Sequence, residues 1–318
     1  MDVRSDSILQ ASGSQATGRR KFNWRKVKIN WQLYVLLSPA LLYFLIFKYY
    51  PMYGVQIAFK DFRAVDGILG SKWVGFKHFQ NFFDSYYFWT LIKNTLGINL
   101  YALALFPISI IVALSLNELR DGRFKKIAQT ITYAPHFISV VVFCGMIIAF
   151  LDPETGIVNN VLKWLGFEPI RFMESPAWFK SIYVWSNEWQ NLGWGAIIYL
   201  AALAGIDPQL HEAAKVDGAT RLQRIWHINL PGIMPTIIIL LILNMGNLMS
   251  IGFEKILLLQ NDLNLDSSQV IQTYVYNAGL LHGQYSYSTA VGLFNSVVNF
   301  ILLVTFNQLA RRTGTSLW

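Results

Sequence analysis

Residues 207–235 read Asp-Pro-Gln-Leu-His-Glu-Ala-Ala-Lys-Val-Asp-Gly-Ala-Thr-Arg-Leu-Gln-Arg-Ile-Trp-His-Ile-Asn-Leu-Pro-Gly-Ile-Met-Pro. This polar and basic island separates two strongly apolar stretches. Asp207 is a good N-cap, and Pro208 suits the first helical position, where its missing N–H costs nothing. Leu210, Ala213 and Ala214 follow at i, i+3 and i+4, so they share one small-residue face on which a partner can approach closely. Gly218 can take the left-handed conformation that ends a helix. Thr220 can cap a second short helix, Arg221 to Ile228. Leu230-Pro231 is expected to break the chain before the next apolar run, which Pro235 enters. The pattern predicts a short, stiff helix held at a membrane surface, with a use only if something docks on it.

The composition around this island is that of a polytopic membrane protein. Hydrophobic residues make up 54% and charged residues only 14% of the 318 positions, where a soluble domain carries about a quarter charged. The mean hydropathy of +0.37 agrees. Aromatic residues reach 15%, as expected where Trp and Tyr gather at interfaces. The net charge is +8, but the basic residues sit in short segments beside apolar runs, which argues against a nucleic-acid partner. Cys144 is the only cysteine, so an intrachain disulfide and a thiolate metal cluster are both excluded. It reads as a small core hydrophobe.

A spanning helix needs about 20 mostly apolar residues. Six spans are expected, at roughly 31–50, 94–117, 127–151, 179–204, 232–252 and 289–309. The fourth is interrupted by Asn187, Glu188, Gln190 and Asn191. Residues 1–30 are polar and basic, without a cleavable signal, and read as a disordered cytoplasmic tail before a transmembrane domain over 31–318. Placing the N-terminus inside puts 16 of the 26 Lys and Arg on the inner side: Arg4, Arg19, Arg20, Lys21, Arg25, Lys26 and Lys28 before the first span, Arg120, Arg123, Lys125 and Lys126, then Lys215, Arg221 and Arg224, then Arg311 and Arg312. The positive-inside rule therefore predicts N-in and C-in, with the 205–231 connector in the cytoplasm. Trp73, Phe76, Tyr86, Tyr87, Trp89, Trp178 and Trp185 read mainly as an interfacial belt, and part of the 50–93 connector as a small outer cap. No internal repeat or low-complexity segment is present.

The connector carries a resemblance. Glu212-Ala213-Ala214, Asp217-Gly218-Ala219 and Ile228-Asn229-Leu230-Pro231, in that order, resemble the EAA signature of membrane subunits of binding-protein-dependent ABC importers. Leu37-Ser38-Pro39-Ala40 with Tyr50-Pro51, Gly252-Phe253-Glu254-Lys255-Ile256 and Thr273-Tyr274-Val275-Tyr276 resemble sugar-importer permeases. The likeness is to the first of two permease subunits in importers of complex oligosaccharides, relatives of the larger maltose permease subunit that include alginate and pectin-type permeases. It covers most of the chain beyond the tail. Trp226 stands where the family pattern usually has Phe. The resemblance implies an all-α, six-helix type I ABC importer permease fold with a cytoplasmic coupling helix. It implies that Glu212, Ala213, Ala214, Asp217, Gly218, Ala219, Leu230 and Pro231 form the ATPase-coupling element. Glu212 would make polar contacts with the ATPase, Ala213 and Ala214 would pack in its groove, and Gly218 would permit the turn. The implied partners are a homologous second permease, two ATPase subunits that bind ATP and Mg, an extracytoplasmic solute-binding protein, membrane lipid and an oligosaccharide.

Other chemistries find little support. There is no Gly-Lys pair, hence no phosphate-binding loop, and no cofactor is expected in this chain. His211-Glu212 lacks the second His of a zinc motif, since that position is Lys215, so no metal site is expected. Polar residues within spans should face a bundle interior or a water-filled path. Asn187, Glu188, Gln190 and Asn191, Asn244 and Asn247, and Asn295 are candidates for a substrate path, with Trp194, Tyr199 and Tyr274 as stacking faces. The plainer account of each polar residue is helix–helix hydrogen bonding. Gly246 and Gly252 mark a bend or a close approach. Glu254 and Lys255 read as a solvated edge. Two rival functions remain open at this stage. An ion-coupled transporter would rest on Glu188 as a buried carboxylate. A membrane-embedded glycan-processing enzyme would need paired carboxylates, for which Asp152 and Glu154 in a turn are the nearest pair.

Overall fold

The computed structural model describes residues 30–311. The expected disordered tail therefore lies outside the described residues, apart from Asn30, as does Arg312. The chain divides at Gly54/Val55 into two units. The first is dominated by α1, Trp31–Phe59, a continuous helix whose residues run on into the second unit. Its own side chains are largely apolar on every face and mostly stay exposed, as a helix set in hydrocarbon requires.

The second unit contains α2 (Phe88–Glu118), α3 (Arg123–Phe137), α4 (Val140–Leu151), α5 (Pro176–Ala204), α6 (Pro208–Val216), α7 (Arg221–Gly246), α8 (Phe253–Leu259), α9 (Ile271–Tyr276) and α10 (Tyr285–Arg311). α5 lies at its centre, packed most extensively on α2 and also on α3 and α7, while α7 packs on α10. Three buried clusters tie these helices together. Phe143, Phe179, Val184, Ile256 and Val270 hold α4, α5 and α8; Ile110, Ala113, Ala196, Tyr199 and Ile233 hold α2, α5 and α7; Phe82, Leu91, Met249, Ile271 and Val291 hold α2, α9 and α10. Cys144 lies in the first cluster, as a core hydrophobe.

Two helices pass through a proline that the sequence read as an end or a break. The first span was expected to stop at Tyr50-Pro51, yet α1 continues to Phe59. The expected break at Leu230-Pro231 is likewise absent, since α7 runs from Arg221 to Gly246. In both cases a π turn stands before the proline, Leu45–Tyr49 and Ile225–Asn229. The N–H of Tyr50 donates to the Leu45 carbonyl, and that of Leu230 to the Ile225 carbonyl. The extra residue in each turn relieves the clash that a proline ring makes with the carbonyl four residues back.

The third expected span is not one helix. α3 and α4 meet at 99° across Ile138-Ser139. Ser139 starts α4 as its N-cap, its hydroxyl accepting from the Val142 N–H. Gly193 lets α5 pack closely against α3, ahead of the bend. A Cβ there would collide with the Thr132 carbonyl of α3. The fifth expected span ends at Gly246, where a Cβ would sit 2.7 Å from Leu303 Cδ1. That glycine is thus a point of close approach between α7 and α10. Among the described residues, four helices are long and apolar enough to cross a membrane, or five if the bent pair is one span. α5 is long enough, 29 residues or about 43 Å, but its polar cluster dilutes its apolarity.

The 50–93 connector has structure of its own. Lys60–Asp61 pairs antiparallel with Lys72–Trp73, and a short helix, Lys77–Phe83, packs on α10. Trp73 stacks on Phe59, and Phe76 meets the same ring edge-on beside Phe79, while both Trp73 and Phe76 stay exposed. The His78 ring bonds the Lys60 carbonyl at 3.1 Å, and the Phe62 N–H donates to the Ser286 hydroxyl at 2.8 Å.

Candidate functional site

The 205–231 connector folds into a capped helix whose termination is specified atom by atom. The Asp207 carboxylate accepts from the Gln209 N–H at 2.9 Å, and Pro208 opens α6. At the other end Gly218 sits at φ +78°. Its N–H donates to the Lys215 carbonyl at 3.1 Å, and the Ala219 N–H donates to the Ala214 carbonyl at 2.8 Å. This pair of bonds is the Schellman arrangement, which ties off the last carbonyls of a helix. Thr220 then opens α7 through a reciprocal capping box with Gln223. Glu212, Ala213, Asp217 and Gly218 are exposed, while Ala214 and Ala219 are half-buried. Leu210, Val216, Leu222 and Trp226 are exposed apolar side chains on the same connector. Leu230 and Pro231 lie inside the continuous α7. Asn229 is fully buried, and its amide donates to the Glu118 carboxylate at 3.4 Å, joining the connector to the end of α2.

Seven of the ten residues proposed for a substrate path line one cleft of about 380 Å³: Asn187, Glu188, Asn191, Trp194, Tyr199, Asn244 and Asn247. The cleft lies between α2, α5 and α7. Its polar groups are held by local bonds. The Asn191 amide donates to the Asn187 carbonyl at 2.9 Å, and its Oδ1 meets His136 Nδ1 at 3.1 Å. The His136 ring stacks on Trp194, with centroids 4.4 Å apart. Glu188 Oε1 accepts from the Ser109 hydroxyl at 3.5 Å, and the Asn247 amide donates to the Leu243 carbonyl at 3.0 Å. Tyr199 is buried, edge-on to Phe106.

The other three fall elsewhere. Gln190 is buried, and its amide donates to the Ile138 carbonyl at the α3–α4 bend, 3.1 Å away. It satisfies a backbone group that the broken helix leaves without its usual partner. Tyr274 packs against the third cluster, its hydroxyl 3.1 Å from that of Tyr287. Asn295 is buried in α10 beside a different cleft, with Gln272 and Ser288. Sequence periodicity on one helix does not tell which neighbour it will meet, and this accounts for both displacements. Asn99, Ser109 and His136 were missed. Asn99 lines the cleft and donates to the Leu248 carbonyl at 2.7 Å. Asn99, Phe106 and Ser109 recur at helical spacing on α2, a signal that was present in the sequence.

A second cleft of about 620 Å³ adjoins the first, with Asn187 and Asn191 lining both. Glu254 and Lys255 line it, and here the reading as a solvated edge fails for one of them. Glu254 is exposed, but Lys255 is only 5% exposed. α8 places residues 255, 256 and 259 on its core face. The Lys255 ammonium lies 4.8 Å from the Phe143 ring centroid and 5.2 Å from that of Tyr183. It has no hydrogen-bond partner, and no ion pair among the described residues includes it. Cation–π contact contributes about 2 kcal/mol when desolvated, whereas burying an ion costs several kcal/mol. The rings therefore offset part of the cost and leave the rest.

Asp152 is a turn cap, accepting from the backbone N–H of Thr155 at 2.7 Å, the Thr155 hydroxyl at 2.9 Å and the Glu154 N–H at 2.9 Å. These bonds hold its carboxyl below the usual carboxylate range, the opposite of what a general acid needs. Among the described residues no group of three or more His, Cys, Asp and Glu is placed to hold a metal ion. The chain thus carries a polar cleft lined in part by Trp194 and Tyr199, and a short helix capped at both ends.

The family described as "Binding-protein-dependent transport system inner membrane component" matches residues 106–315. The polygalacturonan/rhamnogalacturonan transport system permease protein YteP of Bacillus subtilis (strain 168) is 46% identical over 283 residues, covering 89% of this chain and 88% of that protein. Protein LplB of the same organism is 46% identical over 281 residues, 88% of each chain. In the crystal structure of a bacterial ABC transporter involved in the import of the acidic polysaccharide alginate, one chain matches with a TM-score of 0.84 and 43% identity. The match covers 91% of this chain and 98% of that one.

Proposed function

This chain belongs to the family of inner membrane components of binding-protein-dependent transport systems, and on that premise we propose that it is a six-span permease for acidic oligosaccharides of the pectin or alginate kind. It is a transport subunit of an ABC importer and not an enzyme; ATP is hydrolysed in partner subunits. Four helices, the bent α3–α4 pair and the polar α5 supply enough apolar length for six crossings. The distribution of Lys and Arg favours both termini inside the bacterial cytoplasmic membrane. A homologous second permease completes the passage, two ATPase subunits sit below it, and a solute-binding protein delivers sugar from above.

One observation carries the coupling role: α6 is capped at both ends and presents exposed apolar and small side chains beside Glu212. A helix tied off by its own backbone moves as a rigid body. Closure of the ATPase pair on ATP would carry it along and turn the bundle outward. Hydrolysis would then release it. Each state is favoured by what binds it, as alternating access requires. The polar cleft beside Asn187 and Asn191 suits a hydroxyl-rich ligand, with Trp194 and Tyr199 as apolar faces.

The test is to purify the chain gently from its native membrane and identify its companions, then to measure ATP turnover with sugar-loaded binding protein. A second permease and an ATPase are expected, with turnover driven by oligogalacturonate or oligoalginate. A chain recovered alone, or normal uptake by a Gly218→Pro variant, would overturn the reading.

A further inference from the structure

We propose that Lys255, at the cleft shared by α4, α5 and α8, is a carboxylate ligand for a uronate unit of the passing oligosaccharide. The proposal rests on the acidic-oligosaccharide reading above and names the group that would recognise the acid.

The Lys255 ammonium has no hydrogen-bond partner and is enclosed by Phe143 and Tyr183. Buried cations in proteins are paired or coordinated. This one lines a cleft that opens onto the residues already assigned to the sugar path, since Asn187 and Asn191 line both clefts. The carboxylate nearest in sequence, Glu254, is exposed and makes no ion pair with it. A cation kept unpaired beside a passage for an anionic sugar has its missing partner supplied by the substrate. A carboxylate entering the cleft would draw the flexible side chain from between the rings into a charge-assisted hydrogen bond. The Asn187 and Asn191 amides are neutral hydrogen-bonding groups suited to sugar hydroxyls, so acid and hydroxyl recognition would fall on adjoining surfaces. On exit the ammonium would fall back between the two rings, which keeps the site from holding the anion too tightly to release it.

The experiment uses the complete importer in lipid nanodiscs with its binding protein. ATP turnover is driven by binding protein loaded with trigalacturonate or with its fully methyl-esterified form. Wild type should respond better to the acid. Lys255→Met should lower the response to the acid at least tenfold and to the ester less than twofold, while Lys255→Arg keeps most of the preference. Methionine fills similar volume between the rings, so this variant should fold at least as well as wild type. An equal fall for acid and ester, no fall for either, or failure of Lys255→Met to assemble would make the lysine structural and overturn the proposal. A wild-type importer driven equally by acid and ester would instead refute the acidic-substrate reading itself, and the carboxylate role with it.

Discussion

Replacing Gly218 by alanine perturbs one pair of backbone angles and little else. An added Cβ would meet nothing within 4 Å, so no packing penalty arises. What remains is the cost of holding an L-residue at φ +78°, about 1–2 kcal/mol. That corresponds to a factor of about 5–30 in the population of the capped turn. The carbonyls of Ala214 and Lys215, freed if the turn opens, lie at the end of an exposed helix and find water, so their loss adds little. The expected series is therefore Gly above Asn, which tolerates the left-handed region, then Ala, then the β-branched Val. The assay is the reconstituted importer, measuring sugar taken up per ATP hydrolysed while the ATPase subunit is titrated. The variants should need up to about 5–30 times more ATPase subunit for half-maximal uptake. The thermal midpoint of the transmembrane helices should stay unchanged, because α6 lies outside their core. Alanine indistinguishable from glycine, or losses that follow the thermal midpoint instead of the dihedral series, would refute the reasoning.

Gly193→Ala should destabilise the protein by about 1–3 kcal/mol, because the added methyl meets the backbone of Thr132, which has no rotamer to yield; a thermal unfolding midpoint in nanodiscs reads this. Gln190→Leu should cost about 1–3 kcal/mol in the same assay, since it leaves the Ile138 carbonyl at the bend without its donor. Asn191→Ala should act differently. It removes the link between Asn187 and His136 where the two clefts meet, so sugar-driven ATP turnover should fall severalfold while the thermal midpoint moves little. A midpoint that falls along with turnover would show that Asn191 serves the fold alone.

The class of protein and the capped helix were legible from the order of residues alone. Apolar runs long enough to cross a lipid bilayer are a linear property, and so is a helix cap. Asp207, Gly218 and Thr220 act on backbone atoms two to five residues away, and the structure places each bond where that local chemistry requires it. The polar cluster on α5 was legible for the same reason, as an interruption in an apolar run.

Tertiary structure decided the rest. Tyr274 and Asn295 looked like path residues, yet their helices turn them toward other neighbours. Pro51 and Pro231 looked like stops until the π turns ahead of them appeared. The 99° bend, and the close seating of α3 on Gly193 of α5 sixty residues from Tyr133, exist only in the packed molecule. Lys255 looked solvated because its neighbours in sequence include Glu254 and Gly252. Only the meeting of α4, α5 and α8 encloses its charge between Phe143 and Tyr183. Burial of a charge depends on which distant side chains exclude water around it, and those contacts exist only once the helices have packed.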